Sequence, residues 1–173
     1  MKRVLLIVDP QNDFITGSLP VPGAEGAMQR LTHWMQTNQA HYDVIVVTMD
    51  QHPYNHCSFV PQGGPWPVHC VRYSQGAAIY PGLYAEICKQ AASGKELIYV
   101  EKATDVALDA YSAFAQTVPD VLCSAEHIYL AGLAGDYCVA ATHADLKRYI
   151  AEERIELLRD GIAYITPPEV TLG

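Results

Sequence analysis

The sequence is poor in positive charge and lacks internal repeats, blocks of like charge and low-complexity linkers. Its 173 residues include 11 Lys and Arg against 19 Asp and Glu, which gives a formal net charge of −8. Such a chain repels a polyanion and offers no basic stripe for phosphate groups, so we expect no nucleic acid partner. The length suits one compact domain, and we expect that domain to span residues 1–173.

Long apolar runs and a cysteine framework are also missing. Charged residues make up 17% and hydrophobic residues 50% of the chain, and the mean hydropathy is near zero, so no membrane role is expected. The N-terminal apolar run meets Asp9, Asn12 and Asp13 too early for a signal peptide. Five cysteines without framework spacing indicate no disulfide scaffold and favour a reducing, cytoplasmic setting.

Short apolar runs bounded by polar or turn residues predict four buried β-strands, at Val4–Val8, Val44–Thr48, Leu97–Val100 and Ile128–Ala131. Helical periodicity occurs between and after them, at Ala24–Gln39, Gly82–Ala92, Ser112–Leu122 and Tyr137–Ile150. Weaker patterns indicate further strands at Glu156–Leu158 and Ala163–Ile165. The alternation predicts an α/β fold with a mostly parallel sheet covered by helices on both faces.

Residues 50–81 break this alternation with prolines, glycines and three histidines. A loop of this length in a compact domain is usually functional, and it follows a strand whose carboxyl end would face the ligand site of an open parallel sheet. One carboxylate and three imidazoles in this loop are candidate metal ligands: Asp50, His52, His56 and His69. This donor set suits zinc, iron or manganese and keeps a position for water or substrate. Simple solvation of the histidines remains the alternative, which spacing alone does not exclude.

Cys138 lies where the fourth predicted strand turns into a helix. The positive end of the helix dipole and the unpaired amides of its first turn predict a lowered thiol pKa and a site for an oxyanion. Asp9 and Lys102 follow the first and third strands, so a parallel sheet would bring a proton acceptor and a cation to the thiol. Taken singly, the three could instead be a turn cap, a surface lysine and a buried core cysteine. Asp13 could support nearby backbone or Lys102, or it could simply be solvated.

Six sequence motifs occur in one order along the chain. They are D-P-Q-N-D-F at 9–14, T-M-D-Q-H-P-Y-N-H-C-S-F at 48–59, W-P-V-H-C-V at 66–71, E-K at 101–102, D-A-Y-S-A-F at 109–114 and G-L-A-G-D-Y-C-V at 132–139. Together they resemble the nicotinamidase and pyrazinamidase branch of the isochorismatase-like cysteine hydrolases. The resemblance implies a doubly wound, largely parallel sheet and an amidohydrolase of NAD salvage. Such an enzyme converts nicotinamide, and also pyrazinamide, into the acid and ammonia through a cysteine thioester.

The same resemblance implies a role for individual residues. It makes Asp9, Lys102 and Cys138 a catalytic triad, and it makes one divalent ion, with zinc favoured over iron and manganese, the cofactor of Asp50, His52, His56 and His69. A cis peptide bond between Leu133 and Ala134 would aim the amides of Ala134 and Cys138 at one oxyanion. A flat heteroaromatic amide would pack against aromatic side chains, which are Phe14, Trp66, Tyr111 and, beside the nucleophile, Tyr137.

Three features depart from the family pattern. Gly135 replaces a usual threonine, Ala103 follows Lys102 where glycine is common, and the short segment after Gly161 puts the last strand in doubt. A relative acting on another small amide therefore stays open, as does, more distantly, a non-catalytic metal-binding or interaction domain. The identity of the metal, the preference between nicotinamide and pyrazinamide, and the oligomeric state, a homo-oligomer included, also stay open.

Overall fold

The computed structural model describes residues 1–168. Within these residues five strands are present: β1 (Arg3–Val8), β2 (Val44–Asp50), β3 (Glu96–Lys102), β4 (His127–Leu133) and β5 (Ile155–Ala163). They form one parallel sheet in the order β3-β2-β1-β4-β5. The same part of the chain contains four α-helices: α1 (Ala24–Thr37), α2 (Pro81–Ala92), α3 (Asp120–Cys123) and α4 (Cys138–Leu146). The predicted α/β class with a parallel sheet is confirmed.

The side chains of β1 alternate between two apolar cores. Leu5 and Ile7 pack in one core with Met28 of α1 and Leu83 of α2. Val4 and Leu6 belong to the other core, which includes residues of the two remaining helices, Leu122 and Leu146. Because neither face of the central strand meets water, β1 has a continuous apolar sequence and not an alternating one.

The chain winds outward from β1 to β3 and then returns to place β4 on the other side of β1. In such a sheet, ligands bind outside the carboxyl ends of the strands where the winding reverses. Asp9 directly follows β1 and Cys138 begins α4 after β4, so both lie at this reversal. Gly132 is required here, because its φ is +126° and a Cβ would lie 2.1 Å from the carbonyl oxygen of Val8.

Three predictions about secondary structure were wrong in their bounds. Ser112–Leu122 is not one helix: the Ser112 hydroxyl accepts a hydrogen bond from the Phe114 amide, and only Asp120–Cys123 after Pro119 is helical. The predicted helix Tyr137–Ile150 is regular only over Cys138–Leu146. The two weak strands at 156–158 and 163–165 are one strand, Ile155–Ala163, which shifts register opposite Leu130 to Gly132.

The predicted long loop is confirmed. Between β2 and α2 the chain makes isolated bridges, pairing His52 with Val71 and Phe59 with Trp66, and another bridge joins Gln11 to Ile79. Within residues 1–168, no helix combines the length and the apolar character needed to cross a membrane.

Candidate active site

The ammonium group of Lys102 connects the predicted catalytic residues. Strands β2 and β3 pair Asp50 with Lys102, and the Lys102 Nζ donates a hydrogen bond to Asp50 Oδ1. The same nitrogen lies 2.9 Å from Asp9 Oδ2 and 3.5 Å from Cys138 Sγ. All four side chains are buried. The structure therefore brings Asp9, Lys102 and Cys138 together.

Asp9 is held in a form suited to accept a proton. The Thr48 hydroxyl donates to Asp9 Oδ1 at 2.8 Å, whereas Oδ2 has no directed hydrogen bond among residues 1–168 although the charge of Lys102 is near. Burial raises the pKa of Asp9 to about 6, against the opposing effect of Lys102. The carboxylate is thus mostly ionised at neutral pH, and Oδ2 keeps a lone pair for an incoming proton.

The expected lowering of the thiol pKa is not found. Cys138 is the first residue of α4, but burial raises the pKa of its thiol well above the usual value, and Lys102 offsets this only in part. A buried thiolate would lose its hydration, and this loss outweighs the dipole of a helix of nine residues. The resting thiol therefore carries its proton.

Charge pairing holds Lys102 and Asp50 in their ionised forms. Burial lowers the pKa of Lys102, but the carboxylates of Asp50 and Asp9 raise it more, so it lies well above the usual value. For Asp50, burial raises the pKa, whereas Lys102 and the hydrogen bond with His52 lower it further and hold it well below the usual range. Lys102 is therefore a permanent cation between the carboxylates of Asp9 and Asp50.

Asp50, His52 and His69 form a buried metal-type cluster whose ligand atoms all lie within 4.8 Å of one another. Asp50 Oδ2 is 3.4 Å from His52 Nε2 and 3.9 Å from His69 Nε2, and the two imidazole nitrogens are 3.2 Å apart. Ligand atoms about 2.0–2.1 Å from a tetrahedral zinc lie roughly 3.3 Å apart. The spacing of the three atoms therefore fits one small divalent ion.

The hydrogen bonds of the two imidazoles support this fit. His52 Nδ1 bonds to the carbonyl of Ala103 at 3.1 Å, and His69 Nδ1 bonds to the carbonyl of Pro67 at 2.7 Å. Carbonyl oxygens only accept, so both Nδ1 atoms donate, and Nε2 is the nitrogen that each ring could offer to an ion. Burial lowers the pKa of His69, which favours its neutral form.

His56 is not part of this cluster. Its Nδ1 bonds to the Ser58 hydroxyl at 2.7 Å, and its Nε2 bonds to the carbonyl of Leu108 at 2.9 Å. The ring stacks on His52 with 4.2 Å between centroids. Both nitrogens have protein partners, so His56 supports His52 in this arrangement, and its role as a ligand stays a prediction.

The four predicted aromatic side chains line one partly open cavity, which encloses about 390 Å³ when the adjoining solvent space is included. They are Phe14, Trp66, Tyr111 and Tyr137, and they share the cavity with Cys138, Ala134, Asp50 and His69. Trp66 Nε1 donates to the Tyr111 hydroxyl at 3.2 Å, and both rings pack edge-on to Tyr137. The cavity thus joins an aromatic wall, the thiol and the metal-type cluster.

The turn between β4 and α4 has the form expected for an oxyanion site. The peptide bond between Leu133 and Ala134 is cis, which confirms that prediction. The amides of Tyr137 and Val139 both donate to the carbonyl of Ala134, at 3.1 and 3.0 Å. Cys138 is the first residue of the helix, so its own amide has no acceptor within the helix.

Residues 3–149 match the isochorismatase domain family. The chain belongs to this family. It is 32% identical over 171 residues to the nicotinamidase of Escherichia coli, with 83% of this chain and 75% of that protein covered. It is 31% identical over 175 residues to the nicotinamidase of Saccharomyces cerevisiae, with 81% and 79% covered. The predicted resemblance is confirmed.

Solved structures agree with the assignment of this chain to the isochorismatase family. The pyrazinamidase of Pyrococcus horikoshii in complex with zinc has a TM-score of 0.76 and 32% identity, covering 96% of this chain and 89% of that one. PnC1 from L. infantum in complex with nicotinate has a TM-score of 0.77 and 33% identity, covering 95% and 82%. The fold and a metal ion in the site are both supported.

Some residues of this isochorismatase-family site were not found from the sequence. Thr48 reads as an ordinary strand residue, yet its hydroxyl holds Asp9. Gln11 is buried and bonds to the amide and carbonyl of Asp50, which fixes the start of the loop. Asp13 accepts the amide of Cys70 at 2.7 Å and so holds the backbone beside His69, one of its two predicted roles. Residue spacing carries no signal for such contacts.

Proposed function

We propose that this protein is a metal-dependent nicotinamidase of NAD salvage, which hydrolyses nicotinamide, and also pyrazinamide, to the acid and ammonia. The family and its relatives make the chain an amidohydrolase of the nicotinamidase type. The observation that carries the proposal is one cavity in which the thiol of Cys138 lies beside aromatic side chains and the metal-type cluster.

Cys138 is the nucleophile and Asp9 its base. Because burial keeps the thiol protonated, the proton moves to Asp9 as the sulfur attacks the carboxamide carbon. Ammonia leaves with the proton that Asp9 returns, and a thioester remains on the sulfur. A water molecule that gives its proton to the same carboxylate then hydrolyses the thioester and releases the acid.

Lys102 and the backbone amides stabilise the charges that form. The ammonium group lies within 3.5 Å of the sulfur and 2.9 Å of Asp9, so it favours the thiolate and orients the base. The amides of Ala134 and Cys138 receive the oxyanion of the tetrahedral intermediate. One such donor contributes roughly 10²- to 10³-fold in rate in other enzymes.

Asp50, His52 and His69 would hold the metal ion, and His56 would support His52 through the stacking of their rings. Two imidazoles and a carboxylate are a ligand set of catalytic zinc, and zinc is the proposed ion. When bound, the ion would supply a Lewis acid for the ring nitrogen of the substrate. Phe14, Trp66, Tyr111 and Tyr137 pack against the flat ring, so the carboxamide is oriented toward the thiol.

Ammonia release from nicotinamide by the purified protein tests this function, measured before and after chelation and again after addition of zinc, iron or manganese. We expect release that chelation removes and a metal restores. Hydrolysis of non-aromatic amides without hydrolysis of nicotinamide or pyrazinamide would contradict the substrate. Full activity of metal-free protein would contradict the role of the ion.

A further inference from the structure

Residues 164–166 continue past β5 and lie against the turn that precedes the nucleophile. Asp136, in that turn, accepts two consecutive backbone amides with its two carboxylate oxygens: Ile165 N at 2.9 Å and Thr166 N at 2.8 Å. Both oxygens are thus occupied by one short segment. Charge-assisted hydrogen bonds of this kind are stronger than those between neutral groups, so the carboxylate fixes the path of the backbone.

Gly135 gives the same segment a second attachment. Its amide donates to the carbonyl of Ala163 at 2.7 Å. A Cβ on Gly135 would lie 2.3 Å from Cε1 of Tyr164, which is too close for two non-bonded carbon atoms. The glycine, which departs from the family pattern, therefore lets the Tyr164 ring rest directly on the turn before Cys138.

Ile165 is the residue of this segment that reaches the cavity. It lines the cavity together with Phe14, Leu19 and Cys138, and it packs against the apolar core on the α1 side of the sheet. Ile165 is half-buried, and its side chain offers no hydrogen bond or charge. A branched apolar side chain in this place acts on a substrate through its volume.

We propose that Ile165 is a specificity-determining residue that limits the size of the ring admitted beside Cys138, and that Asp136 is the positioning residue that holds it there. The proposal rests on the proposed function for the nature of the substrate, a small heteroaromatic amide. An apolar wall discriminates by the space of one methylene or methyl group, which elsewhere changes kcat/KM by roughly 10- to 200-fold.

The kinetic test compares nicotinamide with 5-methylnicotinamide and 6-methylnicotinamide. Ile165→Ala should raise kcat/KM for at least one methylated amide relative to nicotinamide by about tenfold or more. The kcat for nicotinamide should change little, because no reacting group is altered, whereas its KM should rise. Ile165→Val should give a smaller change in the same direction. Relative values for both methylated amides that stay within about twofold of the unmodified protein would overturn the role of Ile165.

Asp136→Asn tests the positioning role. An amide group keeps one acceptor oxygen but loses the second, so the segment should loosen and the relative kcat/KM should shift as in Ile165→Ala, to a smaller extent. Asp145→Asn is the matched control, because the half-buried Asp145, near the end of α4, pairs with the exposed Arg148 just beyond that helix. A shift that is the same in the two asparagine variants would refute a specific role for Asp136.

Alkylation of Cys138 separates this proposal from the proposed function. The rates of labelling by iodoacetamide and by the bulkier N-phenylmaleimide are read from the Cys138 peptide by mass spectrometry. Ile165→Ala should raise the ratio of the bulky to the small reagent about fivefold or more, since this wall limits access for a ring. An unchanged ratio contradicts the proposal. A raised ratio in a protein that does not hydrolyse nicotinamide would support the role of Ile165 and refute the proposed function.

Discussion

The two halves of the candidate site are built in different ways. Asp9, Lys102 and Cys138 lie at the ends of strands or at the start of a helix, so the parallel sheet sets their positions. His52 and His69 lie in residues 51–80, where local contacts hold the backbone. A sheet places side chains at its edge by register alone, whereas a loop needs a dedicated contact for each one.

Asp50 joins the two halves. It is the last residue of β2, where Lys102 is its partner across the sheet, and it is also the carboxylate of the metal-type cluster. One oxygen bonds to Lys102 while the other faces the imidazoles. We call Asp9, Lys102 and Cys138 the strand-end half, and His52 and His69 the loop half. A change in one half, at a residue other than Asp50, should therefore leave the other half intact.

Removal of the nucleophile should have the largest effect and should leave the loop half intact. Cys138→Ala is expected to lower ammonia release by at least about 10⁴-fold, because no other group can form the thioester. Metal content, measured by elemental analysis, should equal that of the unmodified protein. Cys123→Ala, at an exposed cysteine, is the control and should be fully active. Loss of metal in Cys138→Ala would show that the halves are not separable.

Two histidine variants sharpen the description of the loop half. His52→Ala should lose metal and most activity, with affinity lowered by roughly 100-fold or more, since effects of 10- to 100-fold arise even from groups outside the ligands. His56→Ala should keep the metal but unfold more easily by roughly 1–3 kcal/mol, because Ser58 and the carbonyl of Leu108 lose a partner. Equal loss of metal in both variants would make His56 a ligand.

The pH dependence of kcat/KM reports on the strand-end half. Asp9 must be ionised to take the proton, and its pKa of about 6 predicts that kcat/KM falls as pH drops through about 6. Thr48→Val removes a hydrogen bond that lowers this pKa, so the acid limb should move to higher pH by about one unit. Thr142→Val is the control, since the Thr142 hydroxyl has no partner among residues 1–168. An acid limb that stays in place or moves down would contradict Asp9 as the base.

The smallest expected effect concerns Ala103, which connects the halves because it follows Lys102 and its carbonyl holds His52. Its φ of +52° is in the left-handed region, where a Cβ costs roughly 1–2 kcal/mol. Ala103→Gly relieves this strain, whereas Ala27→Gly inside α1 only loses a buried methyl group and helix propensity, about 2 kcal/mol together. In unfolding by guanidinium, the free energy of unfolding should fall at least about 1 kcal/mol less for Ala103→Gly than for Ala27→Gly. Equal losses would contradict the strain.

The sequence predicted the strand-end half well because its signals are local. Apolar runs mark the strands, and the residue after each run, such as Asp9 or Lys102, must then lie at one edge of a parallel sheet. The protonation of Cys138 could not be predicted from the sequence. Its raised thiol pKa follows from burial, which depends on the packed structure.

The loop half was predicted in composition but not in geometry. One aspartate and three histidines of matching spacing gave four candidate ligands, yet the hydrogen bond of His56 Nε2 to the carbonyl of Leu108 joins residues 52 positions apart. The irregular chain at 112–119 has a local cause, the Ser112 hydroxyl and Pro119, whereas the contacts of Thr48 and Ile165 are long-range. Periodicity cannot report contacts between distant segments.

Carbon-13 NMR of nicotinaldehyde labelled at its carbonyl carbon shows whether the Cys138 thiol adds to a pyridine-3-carbonyl group. The aldehyde carbon should become tetrahedral with the metal-loaded protein and stay trigonal with Cys138→Ala, because only the thiol can form the hemithioacetal. A tetrahedral carbon in both proteins, or a trigonal carbon with a protein that hydrolyses nicotinamide, would contradict Cys138 as the nucleophile.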